Sequence, residues 1–197
     1  ALLFESVPGN LGTTLQTAGW GRAVVANADR GETTPTELSI HREAALAVAD
    51  EAGRVPAGTV APSLLRSSPV APFGVTLDPD AAVAAFDRVW GDRRLVLVEG
   101  SDLARADAYR KVVTPAQRTR QRNAALRSTD RLMGRVLRRT DPTRDLVLAF
   151  GAFQPSYAKN LGIFAIHGPG IGAGLVESAT TRRSGYVALQ DIAPTVL

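Results

Sequence analysis

Two aspartates and one histidine stand where an α/β protein keeps its chemistry. Asp102 and Asp107 follow the apolar run Leu95–Val98, and His167 sits at the end of the run beginning at Leu161, beside a glycine-rich turn. Residues at strand exits collect along one edge of a sheet, so these three side chains form a candidate pocket. The plainer reading is a solvated loop with helix-capping acids and a structural, hydrogen-bonded histidine. Arg182 and Arg183 are adjacent cations able to fork an anionic group bidentately, or to serve as loop residues between two strands.

Several chemistries are excluded by residue type. There is no cysteine, which removes disulfides, thiol nucleophiles and cysteine-zinc sites together. Only two histidines, His41 and His167, are present, too few for a His-rich metal site. No Gly-x-Ser-x-Gly elbow occurs, and two histidines offer no compelling Ser-His-Asp arrangement. The stretch from Gly168 to Gly174 superficially suggests a phosphate cradle. It lacks the Gly-Lys-Ser/Thr of a P-loop, and Pro169 removes one backbone donor, so a structural turn is the better reading.

The net charge is +4, and Lys111 and Lys159 are the only lysines among 23 basic residues. That bias fits a GC-rich coding sequence better than a binding role. Arg118, Arg120, Arg122, Arg127, Arg131, Arg135, Arg138 and Arg139 make one segment basic. A solvated helix face is its ordinary explanation; docking on anionic membrane or nucleic acid is the sharper one. No aromatic residues interleave with these arginines, so no nucleic acid partner is expected.

The elements that must position these residues alternate between helix and strand, the pattern of a sheet covered by helices. Asn10 reads as an N-cap, with Gly19 ending that helix, and Gly21–Asn27 as a strand. Arg42–Glu51 is Ala-rich and helical, stopped by Gly53, and Arg54–Pro72 reads as an irregular excursion. Asp78-Pro79-Asp80 is a strong helix start, running to about Trp90. Leu95–Val98 is a buried strand, and Ser101–Val113 a polar loop leaving it. The longest helix opens at Thr114-Pro115 and runs to about Arg139. Ala125, Leu126, Thr129, Leu132, Met133, Val136 and Leu137 fall on one face of it. Asp145–Phe150, Leu161–Ile166 and Tyr186–Leu189 read as strands, and Asp191 as the cap of a last helix. The chain stops inside that helix start, which suggests a natural protein that continues. No apolar run approaches the roughly 20 residues of a membrane span, and no secretory signal opens the chain.

The tail from His167 to Leu197, HGPGIGAGLVESATTRRSGYVALQDIAPTVL, resembles the segment of alkaline-phosphatase-like enzymes in which a GPGI…G turn leads to DIAPTIL. The order before it is similar: a strand leading to Glu99, Gly100, Ser101 and Asp102, and a helix carrying Ala125, Leu126, Asp130 and Gly134. More narrowly, NLGTTLQTAGWGRAVVANAD, APFGVTLDPD and TTRRSGYVALQDIAPTVL look like the extracytoplasmic part of uncharacterised membrane proteins of high-GC Gram-positive bacteria. The resemblance implies a single domain over 1–197, part of a longer membrane protein. It implies a three-layer α/β fold with a mostly parallel central sheet and helices on both faces, alkaline-phosphatase-like but incomplete.

That superfamily uses two metals to activate a nucleophile and clamp a phosphate or sulfate, which needs converging carboxylates and imidazoles. This sequence has Ala152 and Phe153 where an Asp-His pair is expected, and Ala106 where a histidine would follow Asp102. The first metal aspartate and the nucleophile have no counterpart before Asn10. The expectation is therefore a non-catalytic domain without cofactors, whose remnant pocket is Asp102, Asp107 and His167. It would bind a ligand or cell-envelope component and be attached to the membrane by segments outside this chain. The alternative is a metal-dependent phosphoester or sulfoester hydrolase or phosphotransferase, using zinc, manganese or calcium, whose first ligand and nucleophile lie upstream.

Overall fold

The computed structural model describes residues 7–31, 39–151 and 161–197. It divides into two compact units, Ala1–Val136 and Leu137–Leu197. Among the described residues no helix is long and apolar enough to cross a membrane.

The first unit is organised around β1 (Gly21–Val25), whose Ala-Val-Val centre is buried completely. Two neighbours pair with it in parallel, β2 (Ala57–Thr59) and β5 (Arg94–Val98), giving the order β2-β1-β5. A middle strand covered on both faces reads as an unbroken apolar run, which is why this strand is plain in the sequence. Val25 and Val98 face the helix α2 (Pro79–Val89), through Ala82 and Val83, together with Leu132 of α4 (Pro115–Leu137). Val24, Ala26, Leu95 and Leu97 face the other way, toward Val48 and the 3-10 turn Glu43–Val48. Gly58 lets β2 come close: its φ is 118°, and a Cβ there would stand 1.9 Å from the Val24 carbonyl oxygen.

α2 begins as its sequence dictates. Asp78 accepts hydrogen bonds from Asp80 N (2.8 Å) and Ala81 N (3.2 Å), with proline in the first turn. Other boundaries differ from expectation. α1 (Asn10–Thr17) is preceded by Gly9 at φ 85°, so Asn10 is the first helical residue and not the cap, while Gly19 ends the helix at φ 74° as expected. The stretch expected as a helix from Arg42 forms the 3-10 turn instead. The presumed excursion Arg54–Pro72 contains β2 and also β3 (Leu65–Ser67), which pairs antiparallel with β4 (Val75–Leu77). On α4, Ala125 and Leu132 are buried, whereas Leu126 and Met133 are exposed, so the inward stripe is narrower than the full apolar set.

The largest correction concerns Ser101–Val113. It is not a loop: Asp102–Tyr109 forms the helix α3. Its buried residues are Asp102, Arg105 and Ala106, the i, i+3, i+4 spacing of an inward helix face. Two of the three are charged, so the apolar periodicity that announces a helix is missing.

In the second unit β6 (Val147–Phe150) pairs antiparallel with β7 (Phe164–His167), forming a two-stranded ribbon. These strands, expected in a mostly parallel sheet, are therefore not part of the parallel one, which has three strands among the described residues. The strand expected at Tyr186–Leu189 is reduced to an isolated bridge between Glu177 and Tyr186. Asp191 precedes α5 (Ile192–Val196) but caps none of its N–H groups. Its carboxylate accepts from Ala188 N at 3.2 Å and from the Thr180 hydroxyl.

Candidate functional site at the carboxyl edge of the parallel sheet

The loops leaving β1 and β5 meet at one edge of the sheet, and buried polar side chains collect there. β1 runs on into Ala26, Asn27, Ala28 and Asp29, all buried. Asn27 fixes this exit: its Oδ1 accepts Asp29 N at 2.8 Å, and its Nδ2 donates to Asp29 Oδ2 (3.1 Å) and Val60 O (3.2 Å). A short side-chain amide bonding two residues on is the usual way such a turn is locked.

Asp29 is held from the other side by the chain returning after residue 39. His41 N donates to Asp29 Oδ1 at 2.8 Å, and Arg42 donates to Oδ2 through both Nε (3.1 Å) and Nη2 (2.8 Å). Burial pushes the Asp29 carboxyl up, but the Arg42 hydrogen bonds, the His41 N–H, the Arg42 charge and the Asn27 amide outweigh it. The net displacement is below the ordinary aspartate value.

Arg105 ties the two exits together. It is 1% exposed, and its Nη1 donates to the carbonyls of Asn27 (3.1 Å) and Asp29 (3.2 Å). Its Nη2 donates to Ser101 Oγ (2.7 Å) and Asp102 Oδ1 (2.8 Å). Asp102 is filled further by Leu77 N at 2.9 Å and the Thr76 hydroxyl at 2.8 Å, both from β4. Burial raises the Asp102 carboxyl; the Arg105 hydrogen bond, the Leu77 N–H, the Thr76 hydroxyl and the Arg105 charge bring it below the ordinary value. Ring contacts support the same edge, with the Arg30 guanidinium 5.1 Å from the Phe73 ring and Phe73 edge-on to Tyr109 at 4.9 Å.

Glu99, the first residue beyond β5, behaves differently. Its backbone N–H continues the ladder to Val25 O at 3.0 Å, but its Oε2 is buried without a hydrogen-bond partner, as is Arg105 Nε. Burial raises the Glu99 carboxyl, the Arg105 charge opposes this, and the charges of Glu43 and Asp29 add to the rise; the net displacement is upward. Glu99 is thus the acid at this edge whose environment favours the neutral form.

The residues singled out from sequence distribute as follows. Asp102 and Asp107 lie on α3, five positions apart and so about 140° apart around the helix. Asp102 is locked inward. Asp107 Oδ1 lies 3.3 Å from Arg110 Nε, a charge contact whose geometry makes no hydrogen bond. His167 is exposed on β7, opposite Val147, in the second unit. Arg182 has a left-handed backbone (φ 48°), and the Arg183 guanidinium lies 5.5 Å from the Tyr186 ring. Ala152 and Phe153 fall outside the described residues. Among the described residues no group of three or more histidine, aspartate or glutamate side chains is arranged to hold a metal ion.

Sequence reasoning did not single out Asn27, Asp29 and Arg105. The signal for the first two was polar residues continuing straight from an apolar strand, the place where strand exits collect chemistry. Arg105 left no signal, because an arginine in a charged stretch reads as solvated.

The chain matches no protein-family model, no curated protein and no solved structure.

Proposed function

We propose that this chain is a non-catalytic, alkaline-phosphatase-like extracytoplasmic domain, with the three-layer α/β plan in incomplete form. Its carboxyl-edge acids are used to build the domain, and its role is to bind a ligand or a cell-envelope partner. The observation that carries the reading is Arg105. A two-metal site needs carboxylate oxygens with free lone pairs converging on one point. Here a guanidinium lies against Asp102, and Thr76, Leu77 and Arg105 take up both of its oxygens. Asp29 is taken up in the same manner by Arg42, His41 N and Asn27. Ala106 and the residue types of Ala152 and Phe153 add no donors. These residues do not fit a pair of divalent cations.

The place for a ligand is the crevice outside the ends of β1 and β5. The chain leaving β1 continues into the 3-10 turn on the Val24 face, and α/β sheets bind their ligands outside the carboxyl ends of the strands. Glu99 stands there, with one buried oxygen unmet. The test is metal content by plasma mass spectrometry on the full natural protein, together with turnover of phosphate and sulfate esters. The expected result is metal well below one equivalent and no turnover. Near-stoichiometric zinc, manganese or calcium with ester hydrolysis would establish the enzyme instead.

A further inference from the structure

Two buried polar atoms at the carboxyl edge lack a partner, and they are of opposite kinds. Glu99 Oε2 is an acceptor and Arg105 Nε is a donor, each closed from solvent without a hydrogen bond. Buried polar atoms are nearly always paired, because leaving one unmet forfeits its hydration for nothing. Two such atoms of complementary character in one neighbourhood therefore describe a third group that would meet both.

Both belong to the exit of β5. Glu99 is the first residue beyond that strand. In a planar guanidinium the Nε–H leaves on the same edge as Nη2, and here Nη2 donates to Ser101 Oγ and Asp102 Oδ1. The unmet donor thus faces the Ser101 side, two residues along the chain from Glu99. Burial raises the Glu99 carboxyl, and the largest influence opposing it is the Arg105 charge, so the two groups are neighbours. Yet Glu99 makes no side-chain hydrogen bond or ion pair among the described residues. Arg105 is 1% exposed, whereas Glu99 is half-buried as a residue, so the pair lies just beneath the surface of the crevice.

The pair selects its occupant by chemistry. An anion would meet Arg105 Nε but stand against Glu99, on which Glu43 and Asp29 already act as like charges. An ammonium would meet Glu99 but leave Arg105 Nε unmet and set a second cation beside it. A hydroxyl serves both, accepting from Nε and donating to Oε2 through one oxygen. Nearby, His41 and Glu43 also act on Glu99; their side chains are 29% and 68% exposed, with Nδ1 and Oε1 3.1 Å apart. They offer a second hydrogen-bonding position on the solvent side.

We propose that the crevice binds an uncharged polyhydroxylated ligand, a sugar or related polyol, with one hydroxyl seated between Arg105 Nε and Glu99 Oε2. This rests on the reading of the domain as a ligand binder and names the class of ligand. A lone water would meet the same pair, so the test separates the two.

The Arg105 Nε–H resonance of the full chain is followed by proton–nitrogen correlation NMR as glucose, mannitol, ethylammonium chloride or inorganic phosphate is added. Glucose and mannitol shift it saturably, and the two ions leave it in place. Glu99→Ala weakens glucose binding at least about tenfold, whereas Glu99→Gln, whose amide oxygen still accepts, weakens it by no more than about fivefold. Thermal unfolding shows whether each variant is folded. Three results would overturn the proposal. A saturable shift by ethylammonium that Glu99→Gln abolishes would make the ligand a cation. A shift by phosphate alone would make it an anion. No shift with either polyol, the Nε–H then showing cross-relaxation with water, would leave water as the occupant. Each of these leaves the domain non-catalytic; that reading falls separately, on metal content and ester turnover.

Discussion

The two units of this chain place their information differently. The first closes a parallel sheet between two apolar layers and sets buried arginines at both of its ends: Arg105 at the carboxyl edge, and Arg22 at the amino edge. Arg22 is 3% exposed and donates to Val48 O, Gln16 and Asp50. In the second unit no described apolar side chain is buried, and Leu161, Ile163 and Leu175 are 68%, 81% and 78% exposed. Yet the glycine-rich stretch after His167 lies in the second unit, while the described polar network lies in the first. A glycine-rich turn is written in consecutive residues, whereas a site requires buried groups whose partners are far apart in sequence. Asn27 and Arg105, for instance, are separated by 78 positions.

The comparison breaks most easily at Arg105. Arg105→Ala removes one partner of a buried pair and leaves Asp102 and two carbonyls unmatched, for an expected loss of about 3–5 kcal/mol in urea unfolding. Arg182→Ala in the second unit changes stability by no more than about 0.5 kcal/mol. Equal effects in the two would dissolve the contrast. Next in size is Gly58→Ala, which strains a backbone at φ 118° and presses on the Val24 carbonyl; it should cost on the order of 2–4 kcal/mol. Ile163→Ala, at an 81% exposed site, should stay within about 0.5 kcal/mol.

Acid–base behaviour sharpens the contrast at smaller magnitude. Asp29 and Asp102 have folded pKa values below their ordinary ones. Their stabilisation is complete above the unfolded-chain value of about 3.9 and is lost as pH falls through the folded values. Glu99 has the opposite sign. Its folded pKa is raised, so its ionisation destabilises the fold as pH climbs above the unfolded value of about 4.3. Glu99→Gln should therefore raise the thermal midpoint at pH 7 and leave it unchanged near pH 3. A midpoint lowered at pH 7 would mean that the Glu99 carboxylate stabilises the fold in its charged form.

Much of the framework was legible in the sequence. The strands at Ala23–Val25 and Leu95–Val98, the Asp78 cap and the long α4 follow from apolar runs and capping chemistry that act locally. α3 was not legible, because its inward face is Asp102 and Arg105, and burial of ions leaves no hydrophobic period. β2 and β3 were not, because three-residue strands in proline-rich sequence exist only through their partners. The carboxyl edge was half legible: Asp102 stood out as an acid after a strand, while the guanidinium that takes it up comes from a residue that reads as surface.

Whether Arg105 holds Asp102 as a structural partner is decided by the stability of Asp102→Asn against the parent chain, each unfolded with and without zinc or manganese. If Asp102 is the structural partner of Arg105, Asn lowers the unfolding free energy by about 3 kcal/mol or more without any metal. Metal then shifts neither protein. The contradicting result is a variant as stable as its parent in the absence of metal, with added metal stabilising the parent alone, because a ligand stabilises only the state that binds it.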